Sequence, residues 1–188
     1  MNITVFCGSN NGRQGIYKDL TQSLGRTLSK GGHRVIYGGT KMGLMGALAD
    51  AVLNDGGSVH GIITEHLVRL NQIHPMLTSF SVTTTMQHRK SLMFEMGDAF
   101  IALPGGIGTF EEIFEVITLT QLGVINKPSG FLNVRNYYTP LRKALENSVT
   151  EGFMKPEHYR NIIWESDVER LLLELYEWRP IDMDKWIL

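Results

Sequence analysis

A single cysteine, Cys7, excludes an internal disulfide and fits a reducing compartment. No charge-free apolar run reaches the roughly 18 residues of a membrane span. The leading MNITVFCGS has no basic start, and its apolar stretch is too short for a secretory signal. Charge of one sign is missing too. The 18 Lys and Arg against 19 Asp and Glu give a formal net charge of -1, so no cationic field gathers nucleic acid or anionic lipid. The expectation is a cytoplasmic protein with no membrane and no nucleic-acid partner. Proline is scarce at 6, whereas glycine reaches 20 of 188 residues. A packed domain needs that much glycine only where its backbone turns sharply or approaches something closely.

Short β-branched runs alternate with helical periodicity along the chain. Strands are predicted at Ile3 to Cys7, Arg34 to Tyr37, Val59 to Ile63, Phe80 to Thr84, Ala99 to Leu103, Phe131 to Val134 and Ile162 to Trp164. Helices are predicted at Tyr17 to Lys30, Gly43 to Asn54, Met86 to Met96, Phe110 to Leu122, Tyr138 to Val149 and Val168 to Trp178. Parallel neighbours need helical crossovers. The alternation therefore predicts one α/β domain over 1–180, a Rossmann-like doubly wound parallel sheet with helices on both faces. Residues 181–188 are expected to form a tail, which ends in the apolar Trp186-Ile187-Leu188. Thr64 to Ser79 is the one connection long enough for a lid or a partner-binding loop.

The glycines cluster in turns after three strands: Cys7-Gly8-Ser9, Gly38-Gly39-Thr40-Lys41-Met42-Gly43 and Pro104-Gly105-Gly106-Ile107-Gly108-Thr109. Strand C-termini of an open parallel sheet share one edge, so the three turns are expected to line one cleft. The last two open helices, where free N–H groups and the positive dipole end favour an anion. Gly105, Gly106 and Gly108 carry no Cβ to hold a phosphate oxygen away. A phosphate-bearing small molecule is the expected ligand. The P-loop pattern is missing, and the first turn does not fit G-x-G-x-x-G, which argues against NTP hydrolysis of the P-loop type and against a dinucleotide oxidoreductase.

Two charged features could carry chemistry. Met86, Arg89, Met93 and Met96 share a helix face, which places a guanidinium on an apolar stripe. Arg89 either snorkels at a helix end or meets an anion, and Lys90 faces either the cleft or solvent. Thr109-Phe110-Glu111-Glu112 fits a capping box, with Thr109 as N-cap and Glu112 reaching back to its N–H. The alternative reading is a carboxylate held beside a bound sugar phosphate with Arg89 relieving the repulsion. That arrangement suits cleavage at an anomeric carbon, where negative charge stabilises the developing oxocarbenium ion.

The stretch Pro104-Gly105-Gly106-Ile107-Gly108-Thr109-Phe110-Glu111-Glu112 is similar to the P-G-G-x-G-T-x-x-E signature of the LOG ("Lonely guy") family, and Arg89-Lys90 to its R-K pair. Tyr37-Gly38-Gly39 with Gly43-Leu44-Met45-Gly46, Val5 to Ser9, and Glu115 to Thr118 extend the resemblance over nearly the whole chain. It implies a cytokinin riboside 5′-monophosphate phosphoribohydrolase of Rossmann-like fold, acting as a homodimer without cofactor. Such enzymes release the free base and ribose 5-phosphate from adenosine 5′-monophosphate or its N6-prenylated derivative. The resemblance makes Arg89 and Glu112 the catalytic pair. It places Lys90, the Gly106 to Glu111 loop and Thr118 on substrate; the turns expected to line the cleft themselves add Gly8, Ser9, Gly39 and Gly105, with Met86 and Met93 expected to flank a flat base. Thr40-Lys41, and Asn71 in the 64–79 connection, depart from the family pattern and bear on base preference.

A rival reading from another class is a non-catalytic nucleotide or cofactor carrier that uses the same cleft. Lysine decarboxylase, a label also attached to this signature, would need a Schiff-base lysine that nothing in the sequence identifies. The six histidines show no metal-ligand spacing, His88 reads as a helix surface residue, Cys7 as a packed apolar group and the nine methionines as core filler.

Overall fold

The computed structural model describes residues 1–181. Seven strands are β1 (Asn2–Phe6), β2 (Arg34–Tyr37), β3 (Ser58–Thr64), β4 (Ser79–Thr83), β5 (Ala99–Ala102), β6 (Ser129–Leu132) and β7 (Ile163–Glu165). Every pairing is parallel, in the order β4-β3-β2-β1-β5-β6-β7. The crossovers are α1 (Gly15–Lys30), α2 (Gly43–Asn54), α3 (Glu65–Arg69), α4 (Met86–Met96), α5 (Ile107–Gln121), α6 (Thr139–Thr150) and α7 (Pro156–Arg160), and α8 (Val168–Glu177) follows the last strand.

Period-two alternation sends successive strand side chains to opposite faces, and each face buries its own core. Ile3, Val5, Val35, Tyr37, Ile101 and Leu103 pack under Leu24, Leu28, Leu48, Val52 and Leu171 of α1, α2 and α8. Phe6, Ile36, Ile62, Phe100 and Phe131 pack against Met93, Phe94, Ile113 and Val116 of α4 and α5. Thr4, fully buried in β1, donates its hydroxyl to Met93 O at 3.1 Å.

The predicted doubly wound architecture is the one observed. β6 begins two residues earlier than its hydrophobicity suggested, because Ser129 and Gly130 pair with Phe100 and Ile101 while Val134 leaves the sheet for a 3-10 turn. α3 and α7, each 5 residues long, are too short for a hydrophobic period to register. The apolar tail expected at 186–188 lies outside the described residues. Among the described residues no helix is long and apolar enough to cross a membrane.

Candidate active site

From β1 the chain steps outward through β2 to β4, and it returns to the other side of β1 as β5. Ligands bind outside the strand C-termini at such a switch point. The turns that follow these two strands are stitched together there. Gly8 N–H donates to Pro104 O at 3.1 Å, and Leu103 N–H donates to Phe6 O at 2.9 Å. A Cβ on Gly105 would collide with the Thr109 hydroxyl and stand 2.9 Å from Gly8 N, so only glycine permits this approach. The result is a cleft of about 300 Å³ whose lining includes Ser9, Met45, Leu67, Met86, Arg89, Thr109 and Glu112.

The structure places the start of α5 earlier than the capping-box reading did. Gly106 is the N-cap, Ile107 is the first helical residue and the first turn holds no acid. The first intrahelical bond runs from Phe110 N–H to Gly106 O at 3.1 Å. Ile107, Gly108 and Thr109 N–H are therefore the orphan donors of this end. Thr109 is a buried first-turn residue, not the cap, and Glu112 lies a turn further on. A two-glycine approach, Gly105-Gly106, lets the helix begin without a side-chain cap. A Cβ at Gly106 or Gly108 would meet no protein atom within 4 Å. The space beside them is open, and the donors form a cradle for an anion.

Gly108 and Glu112 are four residues apart and Thr109 and Glu112 three, so the carboxylate shares the cradle's face one turn along the helix, about 5.4 Å. Arg89 reaches it from α4, which starts at a Thr85 cap whose hydroxyl accepts His88 N–H at 3.1 Å. Arg89 Nη1 donates to Glu112 Oε1 at 2.7 Å, and Nε donates to Ile62 O at 2.9 Å. The two side chains are only 7% and 12% exposed, which rules out the snorkelling reading of Arg89. A Cβ on Gly38 would run into Arg89 Nη2, so glycine there makes room for the guanidinium. Burial raises the Glu112 carboxyl above the ordinary range, and the Arg89 charge and hydrogen bond oppose that rise. Cys7 also lines the cleft, with its thiol pushed up by burial and then by the Glu112 charge.

Other sequence candidates fall elsewhere. Lys90 is turned to the outer side of α5, bonded to Glu111 and to Glu115 at 2.6 Å, so it joins α4 to α5 and does not line the cleft. These two carboxylates raise its pKa. Phe110 packs edge-on against Tyr138 at 6.0 Å, and the Thr118 hydroxyl donates to Phe114 O at 2.8 Å. Gly39 sits behind Gly38 with φ 78, its carbonyl accepting His74 N–H at 3.0 Å. Gly105 lines a neighbouring pocket of about 210 Å³ with Tyr17 and Tyr137.

The 38–43 turn contributes Gly38 and Thr40 to the cleft, but not the expected second cradle. Leu44 N–H donates to Gly8 O at 3.1 Å, and Gly43 abuts the Ser9 backbone, so this helix end is spent on packing. The 64–79 connection is fastened, not free. Gln72 O accepts Lys41 N–H at 3.0 Å, and His74 Nε2 meets Asp50 Oδ1 at 3.0 Å. It supplies Leu67 as a cleft wall, whereas Asn71 turns away in a left-handed bend. Met45 and Leu67 carry no site signal in the sequence, since apolar residues on amphipathic elements look like core until the fold aims them at a cavity.

An all-parallel Rossmann-like sheet with an anion cradle and a buried guanidinium–carboxylate pair at its switch point defines a nucleotide-fold α/β protein with a candidate catalytic centre. The family model described as "Possible lysine decarboxylase" matches residues 45–175. The chain is 45% identical over 168 residues to the cytokinin riboside 5′-monophosphate phosphoribohydrolase of Rhodococcoides fascians, covering 89% of this chain and 85% of that one. It is 40% identical over 178 residues to the cytokinin riboside 5′-monophosphate phosphoribohydrolase LOG of Oryza sativa subsp. japonica, covering 95% and 74%. The solved structure of TM1055 superposes with a TM-score of 0.71 at 24% identity, over 94% of this chain and 98% of that one, a likeness of fold. The chain belongs to the LOG family.

Proposed function

We propose that the protein hydrolyses the N-glycosidic bond of an adenosine 5′-monophosphate, N6-substituted or plain, to free base and ribose 5-phosphate. The observation that carries this reading is the Glu112–Arg89 pair set one helical turn beyond the α5 cradle. With the 5′-phosphate on Ile107, Gly108 and Thr109 N–H, that spacing puts the ribose against Glu112. The base then lies among Met45, Leu67 and Met86, whose flexible apolar side chains suit a flat ring.

In the reaction the bond from C1′ to the base nitrogen breaks, its electron pair leaves with the base, and water adds to C1′. One proton of that water ends on the departing base and the hydroxyl stays on the sugar. Glu112 supplies the negative charge that stabilises the oxocarbenium-like transition state. Arg89 favours the ionised form of that carboxylate by opposing the burial that raises its pKa. A pyridoxal phosphate group, which a lysine decarboxylase would require, finds no lysine among the described residues that line the cleft.

Incubation with AMP and with isopentenyladenosine monophosphate, followed by chromatography, is expected to yield free base and ribose 5-phosphate. Absence of release from a panel of nucleoside monophosphates would overturn the hydrolase reading, and tight binding without turnover would favour a carrier. The assembly that goes with this reading is a homodimer; sedimentation at the 21.2 kDa of one chain would overturn that part.

A further inference from the structure

The cradle depends on a backbone turn of unusual freedom. In Leu103-Pro104-Gly105-Gly106 the last peptide unit has glycine on both sides, so no Cβ resists its rotation. Three consecutive carbonyls of this turn are nevertheless held. Leu103 O accepts the Tyr138 hydroxyl at 2.6 Å, Pro104 O accepts Gly8 N–H at 3.1 Å, and Gly105 O accepts the Tyr137 hydroxyl at 2.5 Å.

The tyrosines reach the turn because the chain after β6 bends through two left-handed residues without a glycine, Arg135 (φ 49) and Asn136 (φ 60). Asn133 fixes the bend, its Oδ1 accepting Tyr138 N–H at 2.7 Å. Non-glycine residues persist in this region only where surrounding contacts over-determine them. Tyr138 is fully buried and packs on Phe131 with ring centroids 4.7 Å apart, so its hydroxyl belongs to the core. Tyr137 is half-buried against Tyr17, and its hydroxyl supplies the one hydrogen bond seen to the Gly105–Gly106 peptide among the described residues.

We propose that Tyr137 is a positioning residue for phosphate binding. A trans peptide is planar with C=O and N–H opposed. By holding Gly105 O, the Tyr137 hydroxyl fixes the direction of Gly106 N–H and the entry into Ile107-Gly108-Thr109. The proposal rests on the phosphate reading of the cradle.

The test is Tyr137→Phe in the full-length protein, which keeps the ring contacts and removes one oxygen. Calorimetric affinity for inorganic phosphate and for ribose 5-phosphate is expected to fall roughly threefold to tenfold, the range of one net hydrogen bond. KM for AMP rises by the same factor while kcat stays within about twofold, because the phosphate is gripped equally in ground and transition states. Tyr138→Phe lowers the melting temperature, whereas Tyr137→Phe leaves it nearly unchanged. Unchanged phosphate affinity in Tyr137→Phe overturns this inference alone, as does a fall in kcat at constant KM. A wild-type protein that binds AMP without turnover removes the hydrolase reading and leaves the affinity comparison standing. A wild-type protein that binds no phosphate compound overturns both.

Discussion

Glu112→Gln separates a chemical role for this side chain from a structural one. The amide oxygen can still accept Arg89 Nη1 where the carboxylate does at 2.7 Å, so the bond survives without the carboxylate charge. Arg89 keeps its own charge, so the bond stays in the charge-assisted range of about 1.5–3 kcal/mol, and the direct loss is at most about 1.5 kcal/mol, the width of that range. An opposing gain comes from removing a carboxylate whose burial already raises its pKa. The net change is expected within about 1 kcal/mol, or about 2–4 °C in Tm for a domain of this size. Turnover has no such compensation. A preorganised charge facing the reacting centre typically accounts for about 10²–10³ in kcat, so free-base release should fall by at least that factor. Chromatography of AMP incubations measures the second effect and thermal unfolding the first. A variant within tenfold of wild-type turnover would refute the catalytic assignment. A Tm loss beyond about 8 °C would mean that the pair chiefly holds α4 to α5.

Two further predictions probe the same cleft. Because burial raises the Glu112 pKa, the folded state holds this proton more tightly than the unfolded chain; its stability contribution is full below the ordinary Glu range and is lost as pH rises through the folded value. The ionised form is the active one, so kcat/KM should rise with an acid limb above the ordinary value of about 4.3, and further up in Arg89→Ala; a limb at or below that value would sink the assignment. Gly108→Ala adds a methyl that meets no protein atom within 4 Å. It should stabilise the helix by about 0.5–1 kcal/mol yet raise KM for AMP, and an unchanged KM would move the phosphate away from this turn.

Local regularities carried most of the architecture into the sequence. Four-residue leucine spacing in α1, Gly31-Gly32 and Gly56-Gly57 as stops and short β-branched runs specify a helix–strand alternation that a helix-covered parallel sheet satisfies. The signature at 104–112 and the R-K pair marked the cradle and Arg89 for the same reason, being contiguous in the chain. Tertiary packing decided the rest. Whether Thr109 caps a helix or Glu112 meets Arg89 turns on where α5 begins, and that is set by how closely Gly105 approaches Gly8 from another strand. Lys90 and Arg89 are adjacent, yet the 100° rotation between neighbouring helical residues sends one to Glu111 and Glu115 and the other into the cleft. The tie from Tyr137 to Gly105 spans 32 residues and leaves no local pattern, because a hydroxyl-to-carbonyl contact across the fold constrains neither partner's neighbours in sequence.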